Sequence, residues 1–557
     1  MKLVQNPIIG ADMPDPDLLR VGDTYYMVST TMFYMPGGPI LRSRDLCRWE
    51  IVSYIFETLE DDEAYHLQNG KNAYGKGQWA TSLAHHNGRF YACFVSWDEG
   101  KTYLYSSDDI EKSGWERIEI PEVFHDMSFL FWKDRAYLVY GNGEIGIVEL
   151  EPDLSGLRQG GLRRLLFKAP ADGMRLRCEG CRAVVRDGMI YLLFIDWPQQ
   201  GLRRVVCYRS GQPEGPYECR VLLHDDGGMA GHGVAQGTLI QGEDGEWYGM
   251  FFQDRGAVGR IPYLMPVVWE EGWPVPGTEE ETGSGSDAIQ KDGKRIAPVR
   301  WEMPEQPGEI KSGETQSGGT QTEEDREAHT PECAAHRENA EGKQHENVGY
   351  PVCGSDSFAR GEDSLPLFWQ WNHNPDPSCW SLTRRPGWLR LTAGQPADSL
   401  LRARNTLTQR TMEPGCVCEV TLDVSGMKEG DYAGLCALQG RYGQIGAAVR
   451  GGRTWIRTVI RSQNEERASD REEWLGFDGT KLFLRVIFDY RDGVDLASFY
   501  WKSETEGSWQ KLGETLPMIY TLDVFVGYRI GLFCYSPEKT GGYADFREFT
   551  MRDIGES

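Results

Sequence analysis

Three carboxylic acids stand apart among the 84 Asp and Glu of this 557-residue chain. Each sits among prolines, glycines or apolar residues and not on a charged face. Asp15 lies in Met13-Pro14-Asp15-Pro16-Asp17, where two prolines stiffen the backbone and would hold a carboxylate at a fixed angle. Asp126 lies in Phe124-His125-Asp126-Met127-Ser128-Phe129, and an acid in an apolar strand is costly unless it is networked or functional. Glu179, in Leu176-Arg177-Cys178-Glu179-Gly180, stands beside a glycine where a strand begins, a setting in which it could stay protonated and serve as an acid. Each has a structural alternative: an Asx turn for Asp15, a buried network for Asp126, an ion pair with Arg177 or Arg182 for Glu179. One acid and one base on either side of an acetal is what glycosidic cleavage requires.

The elements around these acids follow one recurring pattern. A polar turn leads into an aromatic-rich strand at Val21–Val28, Asn87–Phe94, Lys133–Tyr140, Arg186–Phe194 and Glu243–Met250. Asn-Gly and Asp-Gly supply the positive-φ turn of a β-hairpin. Five copies at intervals of roughly 45 to 65 residues correspond to one four-stranded blade each. The spacing predicts an all-β fold: a five-bladed β-propeller over residues 1–276, carrying all three acids. Residues 277–350 turn acidic and rich in Gly, Ser and Glu, which predicts a largely disordered linker, with the short apolar island 296–302 able to dock on the propeller. From 351 to 557, period-two stretches such as Val417–Val424 between glycine-rich turns predict a C-terminal antiparallel β-sandwich.

Composition excludes some partners. The net charge of −25 repels nucleic acid and anionic lipid, and no apolar run is long enough for a membrane span. The 18 Trp and 25 Tyr suit strand cores and also sugar-binding clefts, where flat rings stack on sugar faces. The start of the chain lacks the apolar stretch of a signal peptide. The 13 Cys are scattered and odd in number, so reduced thiols and a cytoplasmic location are expected. Cys178-x-x-Cys181 has the spacing of a redox or zinc pair, but nothing completes it.

The order Met13-Pro14-Asp15-Pro16-Asp17, then His125-Asp126-Met127-Ser128, Glu179-Gly180, and Gly259-Arg260-Ile261-Pro262 up to Trp269 resembles glycoside hydrolase family 43. That family comprises five-bladed propellers that act as inverting β-xylosidases, α-L-arabinofuranosidases and arabinanases. The resemblance implies that Asp15 is the general base, Glu179 the general acid, and Asp126 the carboxylate that tunes the acid and orients substrate. It further implies that Trp79 walls the sugar subsite, that His232 sits at the propeller centre, that Arg260 bonds sugar hydroxyls, and that Met32 takes a position often aromatic in xylosidases. Some relatives hold a central metal ion near that histidine. This sequence has no dedicated metal motif, so no cofactor is expected to be required, and an ion near His232 is left open. Cys181-Arg182 departs from the Pro-His or Ser-His common after Glu-Gly.

The C-terminal region, through Trp369–Asp376, Trp380–Thr383 and Asn405–Arg410, is similar to the concanavalin-like domain of the xylosidase-like branch. There a loop narrows the site to a pocket, which implies exo action on an oligosaccharide; self-association is left open. Two rivals stand beside this reading. One is a retaining fructosidase-like propeller, against which Pro14 stands where Asn would be expected; the other is a carbohydrate-binding protein without catalysis.

Overall fold

The computed structural model describes residues 1–229, 232–279, 295–306, 348–461, 470–505 and 507–555. Five four-stranded antiparallel sheets form the N-terminal half. Their innermost strands are Asp17–Val21, Ser82–His86, Ser128–Trp132, Met174–Arg186 and Val234–Gln241. Each sheet takes its strands from one continuous stretch of chain. The ring closes where the innermost strands of blades 5 and 1 meet.

The hairpins form where the turn chemistry asks for them. Asn87 and Gly88 have φ of 50° and 80°, Asp187 and Gly188 have 51° and 75°, the paired left-handed residues of a tight hairpin. Blade strands read as nearly continuous apolar runs because both faces are covered by neighbouring blades. In Met189–Pro198, Ile190, Leu192 and Phe194 pack into the core shared with blade 3. Tyr191, Leu193 and Ile195 pack into the core shared with blade 5. Period two is present, but it separates two cores and not core from water.

The island after Pro276 is docked. Arg295–Ile296 pairs with Thr278–Glu279, and Arg300–Met303 pairs with Lys2–Gln5. The Asn6 carboxamide mimics a strand neighbour, accepting from Leu264 N at 2.9 Å and donating to Leu264 O at 2.7 Å. Most of the expected linker, residues 280–294 and 307–347, lies outside the described residues.

Residues from 348 onward supply fifteen of the sixteen strands of two eight-stranded antiparallel sheets around one apolar core. Helix is confined, among the described residues, to short 3-10 turns. One of the two sheets is completed from the propeller. Tyr34–Met35 pairs with Gln370–Asn372 and so forms its edge strand.

Candidate active site

The three acids meet at one mouth of the propeller. Asp15, Asp126, Gly180 and Gln236 each stand two residues before the residue that faces the central axis (Asp17, Ser128, Arg182 and Thr238). All four have positive φ, at 55°, 46°, 68° and 54°. In blades 4 and 5 the ladder slips at these points, between Glu179 and Arg182 and between Ala235 and Gly237. A left-handed residue or bulge re-aims the side chains that flank it, which is how a straight inner strand can present an acid to the mouth. Gly180 has a second reason to be glycine: a Cβ there would lie 2.6 Å from Gln236 Cδ.

Arg182, 1% exposed, plugs the axis beneath the mouth. Its Nη2 donates to the carbonyls of Asp15 and Thr81, both at 3.0 Å, and Nη1 donates to its own neighbour Cys181 at 2.8 Å. Its Nε lies 3.5 Å from Asp17 Oδ1. Burial raises the pKa of Asp17, against the pull of Arg182 and the donors Leu83 N, Ser82 Oγ and Leu18 N. Arg182 therefore knits blades 1, 2 and 4 together and fixes the backbone of Asp15. The departure noted at Cys181-Arg182 is thus a structural plug.

On the base side, Arg260 Nη1 donates to Asp15 Oδ1 at 2.9 Å, while its Nη2 donates to Phe525 O at 3.0 Å. Buried Asp12 supports this pair, accepting from Arg260 N at 2.7 Å and from Gly527 N at 2.9 Å. Desolvation opposes the charge of Arg260, yet Asp15 and Asp12 outweigh it and raise its pKa. Asp15 Oδ2 has no protein partner among the described residues.

On the acid side, Glu179 pairs with neither Arg177 nor Arg182. Its Oε2 lies 3.1 Å from His125 Nε2 and accepts from Asn142 Nδ2 at 2.6 Å. Asp126 Oδ2 accepts from Gly180 N at 3.1 Å. One polar atom each of His125, Asp126 and Glu179 lie within 4.8 Å of one another. Burial lifts the Asp126 carboxyl to about 6; His125 and Arg182 oppose that rise, and Glu179 and Asp15 add to it. Burial thus disfavours the charged form of Asp126.

The walls come from both halves of the chain. Trp79 stands with its ring centroid 6.1 Å from that of His125 and 5.2 Å from that of Phe525, a sandwich residue. Tyr520, from the same sandwich segment, is pushed up to about 12 by burial, against the fields of Arg260 and Arg203. The Tyr520 hydroxyl, Trp79 Nε1 and Arg260 Nε are buried without a hydrogen-bond partner. Such orphan donors and acceptors beside acids suit a polyhydroxylated ligand.

Sequence profiles place these halves. Glycosyl hydrolases family 43 matches residues 4–274, and the β-xylosidase C-terminal concanavalin A-like domain matches 355–552. The chain belongs to glycoside hydrolase family 43. It is a glycoside hydrolase joined to a concanavalin A-like sandwich. It is similar to a β-xylosidase of Formosa agariphila, 26% identical over 98% of this chain and 89% of that one. It is also similar to a putative β-xylosidase of Xylanibacter ruminicola, 30% identical over 76% and 69%. Among solved structures, a bifunctional GH43-CE protein of Bacteroides eggerthii is 39% identical with a TM-score of 0.83. That likeness covers 99% of this chain, which spans 64% of that longer protein. A GH43 hydrolase engineered to display endo-xylanase and exo-arabinofuranosidase activity is 26% identical, with a TM-score of 0.80 over 99% of this chain.

Of the residues that the family resemblance pointed to, Asp15, Asp126, Glu179, Trp79 and Arg260 gather at the mouth. Met32 is 1% exposed and belongs to the core between blades 1 and 2, behind the wall. His232 lines a separate cavity of about 490 Å³ with Arg255, Glu413 and Asp495 at the propeller–sandwich junction. The position beside Gly180 is held by Gln236. Burial and the charges of Arg203 and Arg255 lower the pKa of His232, against the pull of Asp495 and Asp226. The sequence did not single out His125, Asn142, Trp97, Gln236, Tyr520 or Phe525, and it offered Arg182 only as an ion-pair partner for Glu179 and as a departure from the family pattern. His125 alone carried a signal, as a titratable neighbour of Asp126.

Proposed function

We propose that this enzyme is an inverting exo-glycosidase. It removes terminal or side-chain pentosyl residues, β-D-xylosyl or α-L-arabinofuranosyl, from xylan- or arabinan-derived oligosaccharides. The reading is carried by one observation: Asp15 and Glu179 share one mouth yet have entirely different partners. Asp15, gripped by Arg260 through Oδ1, keeps Oδ2 for a water molecule and acts as general base. Glu179, held by His125 and the Asn142 amide and by no arginine hydrogen bond, gives its proton to the departing sugar oxygen. Asp126 orients the sugar and tunes the acid. Arg260, Trp79 and Tyr520 line the sugar subsite, and Phe525 closes one side, which favours chain ends over chain interiors. Names borne by relatives support the substrate class: β-xylosidase for the Formosa protein and non-reducing end α-L-arabinofuranosidase for a Bacteroides ovatus protein 25% identical over 70% of this chain.

Acid, base and nucleophile come from this chain and from water, so the proposed reaction asks for no cofactor. A cytoplasmic location is proposed on the free thiols of all described cysteines. No helix among the described residues is long and apolar enough to cross a membrane.

Proton NMR during hydrolysis of p-nitrophenyl β-D-xylopyranoside and α-L-arabinofuranoside tests the stereochemistry. The first-formed sugar is expected with inverted anomeric configuration. A retained product on both substrates rejects the inverting assignment and revives the retaining rival; no turnover on either rejects the pentosidase.

A further inference from the structure

The acid side contains a relay that takes no part in the proposed proton transfers. Trp97, half exposed at 49%, donates its indole N–H to His125 Nδ1 at 3.1 Å. An indole nitrogen can only donate, so Nδ1 must carry a lone pair. A neutral imidazole then has its proton on Nε2, and that N–H can only point to Glu179 Oε2, 3.1 Å away, or to Asp126 Oδ2 at 3.6 Å. Asn142 Nδ2 donates to the same Oε2 at 2.6 Å. Its turn is pinned on both sides, by Gly141 N to His125 O at 2.9 Å and by Gly143 N to Cys178 O at 2.8 Å. Oε2 thus receives two hydrogens from the protein, and a protonated Glu179 must carry its own on Oε1.

We infer that Trp97 and His125 are positioning residues for the acid: the indole N–H holds His125 neutral, and the neutral His125, with Asn142, fixes the transferable proton of Glu179 on Oε1. This rests on the reading of Glu179 as the general acid.

The charges around His125 show why a lock is needed. Burial disfavours the imidazolium, but Asp126, Glu179 and Asp15 outweigh it and lift the ring to about 9. Those fields would charge the ring at neutral pH, whereas the Trp97 bond requires it uncharged. The two states exclude each other, since an imidazolium would set two N–H groups head to head. Of the fixed cations, Arg203 interacts electrostatically with Glu179 and Arg182 with Asp126. An imidazolium beside a carboxyl group favours its ionised form, which would remove the proton that the reaction needs.

The test is Trp97→Phe, which keeps a ring and deletes the N–H, read as the pH profile of kcat/KM. On a substrate with a poor leaving group, such as xylobiose or an alkyl arabinofuranoside, the alkaline limb is expected to move down by about one pH unit or more. On the corresponding glycosyl fluoride, whose departure needs little protonation, the limb is expected to stay. His125→Gln, whose amide can still donate to Oε2 but cannot become a cation, is expected to restore the wild-type alkaline limb when added to Trp97→Phe. An unmoved limb on the poor leaving group, or an equal shift on the fluoride, overturns the relay. Glu179→Gln separates that failure from failure of the underlying reading: if it hydrolyses the poor leaving group at the wild-type rate, Glu179 is not the acid at all.

Discussion

The two sides of the mouth hold their carboxyl groups by opposite means. Asp15 is fixed by charge: a guanidinium on one oxygen, a second guanidinium on its backbone carbonyl, and a buried aspartate behind the first. Glu179 is fixed by a histidine and an amide, with the two arginines nearest in sequence turned elsewhere. A base must stay ionised and an acid must not, and a cation on a carboxylate serves only the former. The enzyme separates two chemically alike groups through the company they keep.

The largest effects are expected where the two sides are exchanged for neutral amides. Asp15→Asn and Glu179→Gln should each lower kcat on xylobiose by about 100- to 10,000-fold. Only Glu179→Gln should recover on the glycosyl fluoride, because Asp15→Asn lacks the means to activate water whatever the leaving group. Equal recovery of both variants would erase the distinction between the sides. A smaller but still large loss is expected for Arg260→Lys. A lysine ammonium cannot span Asp15 Oδ1 and Phe525 O as a planar guanidinium does, so kcat/KM should fall by about 10- to 100-fold, ~1.4–2.7 kcal/mol. Wild-type kinetics in this variant would show that the base needs no clamp.

The smallest effect concerns stability. Asp126 has its pKa raised to about 6 in the folded state, above the ordinary aspartate value of about 3.9. Between those values the folded form binds the extra proton, so stability is lost as pH rises through that window and is not regained above it. Asp126→Asn should therefore raise the melting temperature at pH 7 by a few degrees, on the order of 1 kcal/mol or more, and by much less at pH 4. Turnover should fall at the same time. A lower melting temperature at pH 7 would mean that the carboxylate is a structural partner and not a functional burden.

The blades were legible in the sequence because a hairpin is a local object: Asn87-Gly88 and Asp187-Gly188 announce left-handed turns whatever surrounds them. Proline, glycine and apolar neighbours singled out the three acids, each still with a structural alternative, and only their order along the chain, resembling the family's, gave them roles; the structure brings them to one mouth. The relay was not, since Trp97 follows a blade-2 strand while His125 and Asn142 belong to blade 3, and the indole meets the imidazole only when those two blades pack side by side. Arg182 read as a candidate ion-pair partner for Glu179 because adjacency along the chain says nothing about which way a side chain turns at a bulge. Tyr520 and Phe525 lie hundreds of residues from Asp15, and no local pattern marks a loop that will be inserted into another domain's mouth.

The eighth strand of one sandwich sheet belongs to residues Tyr34–Met35. Neither half of the molecule is therefore a detachable cassette: cutting the chain after residue 350 would take away the partner of a blade-1 loop whose neighbours Phe33 and Gln78 sit just behind the sugar wall, and would leave the remaining sheet an open edge able to recruit other chains. Heating should melt both halves in one calorimetric event.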